Sequence, residues 1–245
     1  MRFDLVDLVD FSALSPAANA ALSAACFVVT IALYLGAKRL YRARKTLLFS
    51  PLVAVPVLLV AALALTGLPY PVYFHDTRWL MWLLGPATIA FAVPIHEYRH
   101  LIRRHWLSLS VGVVVGIVAA VGGSLLLAKL LHLSPELQRT LVTRSISTPF
   151  AIAVSDRLHA PHDLTALFVI VTGVCGMLMG EFMLAVLPLR SRLARGALFG
   201  AAAHAIGTAK AREIGGEEGV VSSLTMMIAG VAMVLIAPLL AHLPM

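Results

Sequence analysis

The chain has 245 residues, with 19 Lys and Arg against 12 Asp and Glu and a formal charge of +7. Hydrophobic residues make up 60% and charged residues only 13%, and the mean hydropathy is +0.92. A soluble domain carries about 25% charged residues, so this chain could not cover a water-facing surface. Soluble globular and disordered classes are excluded, and a polytopic membrane protein remains. The positive balance does not indicate nucleic acid, because the charges cluster between apolar runs as membrane topology requires. Cys26 and Cys175 both lie in apolar stretches and read as small buried hydrophobes, neither a disulfide framework nor a zinc site.

The N-terminus carries Asp4, Asp7 and Asp10 and no basic run before its first apolar stretch, so that stretch reads as a retained helix rather than a secretory signal. A bilayer core of about 30 Å needs about 20 apolar residues per helix. Spans are expected at 16–37, 47–68, 79–95, 107–131, 164–187 and 220–243. Two shorter apolar runs, 144–158 and 196–211, are rich in small or polar residues and do not read as plain lipid-facing helices. The fold expected is all-α and polytopic, with six to eight transmembrane or half-membrane helices, some discontinuous or re-entrant. It forms one membrane domain over 1–245, with 1–15 as a short extracytoplasmic segment and 16–243 as the bundle.

Basic clusters set the orientation. Residues 38–45 hold Lys38, Arg39, Arg42, Arg44 and Lys45, residues 96–105 hold Arg99, Arg103 and Arg104, and residues 190–195 hold Arg190, Arg192 and Arg195. The positive-inside rule places all three in the cytoplasm and the N-terminus outside. If 144–158 crosses fully, the third cluster ends up outside; if it is re-entrant, that cluster stays inside. Residues 85–93, GPATIAFAV, are weakly similar to 147–154, STPFAIAV. A short apolar motif also matches by chance. Read as halves of an inverted repeat, such paired interrupted segments point to a transporter's binding site.

Polar chemistry enters the apolar background at four places. Leu84-Gly85-Pro86-Ala87-Thr88 suggests a kink, with Thr88 supplying a hydroxyl. In Arg144-Ser145-Ile146-Ser147-Thr148-Pro149 the proline breaks or starts a helix, and Ser147 or Thr148 can cap it. A helix N-terminus attracts anions, and the Arg144 fork matches a carboxylate. The alternative is an Arg144 that snorkels to the interface above a capped, kinked helix. Glu181 lies deep in the apolar run GMLMGEFMLAV; it is a candidate for carrying a proton or for pairing with a cation on another helix. In Ala203-His204-Ala205-Ile206-Gly207-Thr208-Ala209-Lys210, Gly207-Thr208 can interrupt the helix and expose backbone. His204 alone reads as a hydrogen-bonded packing residue; together with the Arg144 segment it suggests a polar cavity. Gly112-xxx-Gly116 and Gly196-xxx-Gly200 suit close helix packing, within the chain or in a homo-oligomer. No Walker A loop, HExxH pair, metal-spaced Cys/His set or GxSxG elbow occurs, so neither an enzyme nor a cofactor or metal is expected.

Three of these motifs carry a resemblance. Leu84-Gly85-Pro86-Ala87-Thr88 with Ala90 and Ala92-Val93-Pro94, then Ser134-Pro135-Glu136 followed by Arg144 to Pro149, then Ala202 to Ala209 resemble the LLGPATVALAVP, SPE…KSVTTP and AAHAIGTA stretches of the LrgB/CidB-like membrane protein family. The similarity runs over about residues 30–243. It implies an antiholin-like protein that works with a small LrgA/CidA-like membrane protein and affects murein hydrolase activity and lysis. It also implies kinship with the LrgB-like portion of the plastid glycolate/glycerate translocator and with bacterial proteins associated with pyruvate uptake. The leading expectation is therefore a carrier or facilitator of small monocarboxylates or 2-hydroxy acids in a bacterial inner membrane. Arg144, Ser145, Ser147, Thr148 and the helix start at Pro149 would hold the carboxylate; His204, Gly207, Thr208 and Thr88 would complete the site. The alternative is an antiholin-like regulatory subunit. The family lysine is Arg144 here, and Ala153 stands where many members carry an acid.

Overall fold

A computed structural model describes residues 15–44, 49–90 and 92–242, and the side chains of all of these except Leu52, Ala87 and Thr88. Every regular element among them is an α-helix. Four helices are long and apolar enough to cross a bilayer: α1 (Pro16–Ala43), α8 (Trp106–Leu130), α11 (His162–Val186) and α13 (Gly216–Leu240). The chain is an all-α, multi-pass membrane protein. The fold separates at 84/85 into two compact units.

The first unit holds α1, α2 (Pro51–Thr66), α3 (Tyr70–Thr77) and α4 (Trp79–Trp82). Ser15 starts α1, its hydroxyl accepting from the Ala18 N–H at 3.3 Å with Pro16 at the first helical position. Gly67, with φ of 65°, ends α2 in the left-handed conformation that glycine adopts without a Cβ clash. α1 packs against α2 and α3, and the Thr30 and Tyr73 hydroxyls meet at 3.4 Å across the α1–α3 contact.

The single span expected at 79–95 is interrupted after Trp82: α4 is followed by α5 (Leu84–Ala90), and beyond residue 91, which lies outside the described residues, come α6 (Ala92–Glu97) and α7 (Arg99–Arg104). Pro86 explains the first of these boundaries: it lacks an N–H and crowds the residue four before it, and α4 ends at Trp82, four residues before it. The other segment of the matched pair lies in α10 (Thr148–Leu158).

In the second unit α13 is the central post. Of its most apolar window 61% is buried, against 22% for α8 and for α11. An apolar core joins Val121 of α8, Val142 of α9 (Pro135–Thr143), Phe150 and Val154 of α10, Val169 of α11 and Met233 of α13. Gly230 admits the Phe150 ring; a Cβ there would overlap it. α8 and α10 both close with a histidine in the left-handed conformation, His132 (φ 52°) and His159 (φ 53°). The following N–H returns five residues, Leu133 to the Ala128 carbonyl at 2.9 Å and Ala160 to that of Ser155 at 3.0 Å. That is the Schellman ending usually built on glycine.

The segment α12 (Arg192–Ile214) is not a straight helix. His204 takes φ 42° and ψ −121°, and the packing partners reverse there. Along α11, Gly180 lies against Phe199, Gly176 against Ala202 and Gly173 against Ile206, yet Lys210 is back beside Glu181. Along α13, Gly196 meets Val221, Gly200 meets Ser222, then Thr208 meets Ser222 and Arg212 meets Gly219. α12 is therefore a helical hairpin with arms 192–203 and 205–214. At 1.5 Å per residue the arms reach about 18 and 15 Å, roughly half a bilayer core. Of the two short apolar runs, 196–211 turns back on itself. In 144–158, the helical part begins at Thr148 and is too short to cross alone.

Candidate functional site

The hairpin tip meets the break between α9 and α10. Position 204 lies near the first central position of a type II′ turn, about +60°, −120°, where glycine normally sits. His204 is 2% exposed, and its Nε2 lies 3.2 Å from the Arg144 carbonyl oxygen. A carbonyl only accepts, so Nε2 carries the proton and donates. This bond ties the tip to a carbonyl that the ending of α9 leaves without a helical partner.

The guanidinium of Arg144 extends from the same break. Its Nε–H donates to Ser124 Oγ of α8 at 3.0 Å, and Nη1–H donates to Thr172 Oγ1 of α11 at 3.3 Å. Ser124 in turn donates to the Ala120 carbonyl. A guanidinium has five N–H donors in a fixed plane, so three remain for another acceptor. Among the described residues no carboxylate lies within 4.0 Å of Arg144. The side chain is half-buried, not at an open surface. Elements thus converge on one residue: α8 and α11 hold the guanidinium of Arg144, and the α12 tip holds its carbonyl in the 144–147 break.

The other expected residues divide. Ser147 is the N-cap of α10 by backbone geometry, φ −62° and ψ 144°, but its hydroxyl makes no capping bond. The Phe150 and Ala151 N–H groups both donate to the Ser147 carbonyl, at 3.0 and 2.9 Å, and Pro149 has none. The helix start therefore offers fewer free donors than its sequence suggests. Ser145 lines a cavity of about 10 Å³ with Gly116, Ala201 and Ala229, room for about one water.

Gly207 and Thr208 do not interrupt α12; the interruption is at His204. Gly207 lies against the Phe199 carbonyl of the opposite arm, where a Cβ would overlap it. Thr208 hydrogen-bonds Ser222 of α13 at 3.0 Å, so its hydroxyl holds two helices together instead of facing Arg144. Glu181 pairs with Lys210, which also reaches Glu213 at 3.5 Å. Thr88 lies in α5, but its side chain is outside the described residues. Gly200 and Gly196 pack against α13 as their spacing suggests, whereas a side chain at Gly112 would meet open space. Sequence reasoning missed Ser124 and Thr172. Both are hydroxyls beside glycine within apolar runs, in Gly122-Gly123-Ser124 and Thr172-Gly173, and that was the available signal.

The polar motifs that build this centre fall within a match to the LrgB-like family over residues 30–243. The chain belongs to the LrgB-like family. Three proteins of Bacillus subtilis (strain 168) are similar to it over most of their length. YwbG, described as uncharacterized, is 36% identical over 86% of this chain and 94% of its own. YxaC, also described as uncharacterized, is 31% identical over 92% and 98%. The antiholin-like protein LrgB is 28% identical over 95% and 98%. No solved structure matches the chain. The family match spans both chain breaks, so the Arg144 to His204 contact lies wholly inside the region this chain shares with the family.

Proposed function

We propose that this LrgB-like protein carries small monocarboxylates or 2-hydroxy acids, of the pyruvate, glycolate or glycerate type, across a bacterial inner membrane without catalysing a reaction. One observation carries the reading: Arg144 is a half-buried cation with three donors to spare and no carboxylate partner among the described residues. Ionisable groups at membrane depth are expensive and belong to pathways or to paired structure, and the pairing is missing. A carboxylate would bind the free side of the fork. Ser124, Thr172 and the Arg144–His204 bond fix the fork's orientation. In this reading the hairpin moves away from the 144–147 break to admit the anion. Glu181, tied to Lys210 on the second arm, is the coupling acid we assign to that movement.

Proteoliposomes loaded with the purified protein test the reading. Labelled pyruvate or glycolate should enter, and Arg144→Met should abolish entry while the protein still purifies folded. Absence of uptake, with or without a small LrgA/CidA-like protein, overturns it.

The relative named antiholin-like favours a second reading, and the comparisons speak for it more directly than for transport. Here the chain is a regulatory subunit that assembles with an LrgA/CidA-like membrane protein, or with copies of itself, and affects murein hydrolase activity. Arg144 and His204 then serve assembly alone. Arg144→Met and His204→Gly separate the readings: loss of uptake with the complex intact supports the carrier, and loss of the complex supports the subunit.

A further inference from the structure

A second binding feature lies in the first unit, built from residues the proposed function does not use. α1 and α2 enclose a groove of about 420 Å³ lined only by apolar residues, among them Leu33, Gly36, Leu40, Phe49, Val53 and Val57. That volume is in the range of built ligand sites, about 300–1,000 Å³. Residues 32 to 40 of α1 line it, about 12 Å of helix axis at 1.5 Å per residue. Basic residues crowd the same end of α1. Arg39 adjoins Leu40 in sequence, Arg42 is in the last turn, and the Arg44 N–H donates to the Leu40 carbonyl at 2.9 Å. All three side chains are exposed. None has a carboxylate within 4.0 Å among the described residues.

The groove and the cations together select the occupant. A free anion would neutralise the arginines and leave the groove empty. An apolar helix would fill the groove and leave three charges unmatched. A phospholipid with an anionic headgroup satisfies both, with its acyl chain between α1 and α2 and its phosphate at the arginines. Basic clusters at the end of a membrane helix attract anionic lipid at about 1 kcal/mol per residue, and apolar burial adds about 25 cal/mol per Å². We propose that the α1–α2 groove is a binding site for one anionic phospholipid.

The test is titration of the full-length protein in detergent with dioctanoyl phosphatidylglycerol, read as lipid adducts by native mass spectrometry. Dioctanoyl phosphatidylcholine and inorganic phosphate are the comparators. One phosphatidylglycerol should bind per chain, well above phosphatidylcholine. Arg39→Ala with Arg44→Ala should weaken it about 25-fold, fivefold for each arginine. Gly36→Leu should fill the groove and weaken both lipids at least about tenfold; a Cβ at Gly36 meets nothing within 4 Å, and leucine favours the helix over glycine. Ala54→Leu, blocking from α2, should do the same, and unchanged melting temperatures certify folding. Equal binding of the two lipids, full competition by inorganic phosphate, or indifference to Gly36→Leu and Ala54→Leu each overturns the site. So does efficient disulfide crosslinking between Gly36→Cys chains without lipid adducts, which assigns the groove to a second copy.

Discussion

The chain departs from helical geometry twice around Arg144, and the two departures are built by opposite means. At 144–147 the backbone stays in ordinary regions, αR at Arg144 and extended at Ser147, and Pro149 by its own chemistry prevents one helix from running through. At 204 there is neither proline nor glycine. A histidine adopts φ 42°, a conformation costing about 1–3 kcal/mol for a residue with a side chain. The surroundings impose it: Gly176 and Gly180 let the first arm seat on α11, and Gly196 and Gly200 let it seat on α13. The first break is written in the segment that breaks, and the second in the helices around it.

If neighbours hold the hairpin, the largest effect comes from crowding them. A side chain at Gly200 meets the Ser222 carbonyl, so Gly200→Val should cost about 3 kcal/mol, the upper end for overpacking a core. Thermal unfolding in detergent checks this, and a loss below about 1 kcal/mol would place the cause of the hairpin inside α12. Next is Arg144→Met. It removes two hydrogen bonds from a charged group, about 1.5–3 kcal/mol each, but also an unpaired half-buried charge, and these oppose. Stability should shift little while carboxylate uptake falls at least about tenfold, equivalent to about 1.4 kcal/mol. A melting point that drops in step with uptake would show Arg144 to be structural.

Smaller effects sharpen the contrast. His204→Gly and His204→Ala both lose the bond to the Arg144 carbonyl, but only alanine keeps the strain. The glycine variant should be the more stable by about 1–2 kcal/mol; equal stability would mean the turn relaxes. Pro149→Ala should be mildest in stability, under about 1 kcal/mol, acting mainly through the unfolded chain, while the 144–147 break itself loosens; unfolding in detergent checks the first.

The same contrast governs what could be read from residues alone. The long apolar helices α1, α8, α11 and α13 were legible from hydropathy, and Pro149 marked the first break. The motif around His204 was legible as a place of interest, but Gly207-Thr208 drew the break three residues too late. The backbone conformation at 204 depends on contacts with α11 and α13 that no local pattern encodes. Arg144 was legible as a cation beside the first break, with a snorkelling side chain as the alternative. Its partners Ser124 and Thr172 were not, since single hydroxyls in apolar helices more often bond their own backbone, as Ser124 also does. The span at 79–95 is interrupted after Trp82 because Pro86 outweighs an apolar run.

The hairpin also bears on how many times the polypeptide is threaded. A loop that returns the chain to where it entered adds no passage, so the residues after α11 and those before α13 are expected in one aqueous compartment. The two flanking helices then traverse in opposite senses. A reporter fused at residue 188 and another at residue 215 should face the same side, a point the sequence alone left open. Straightening one histidine would move the whole C-terminal end to the other compartment.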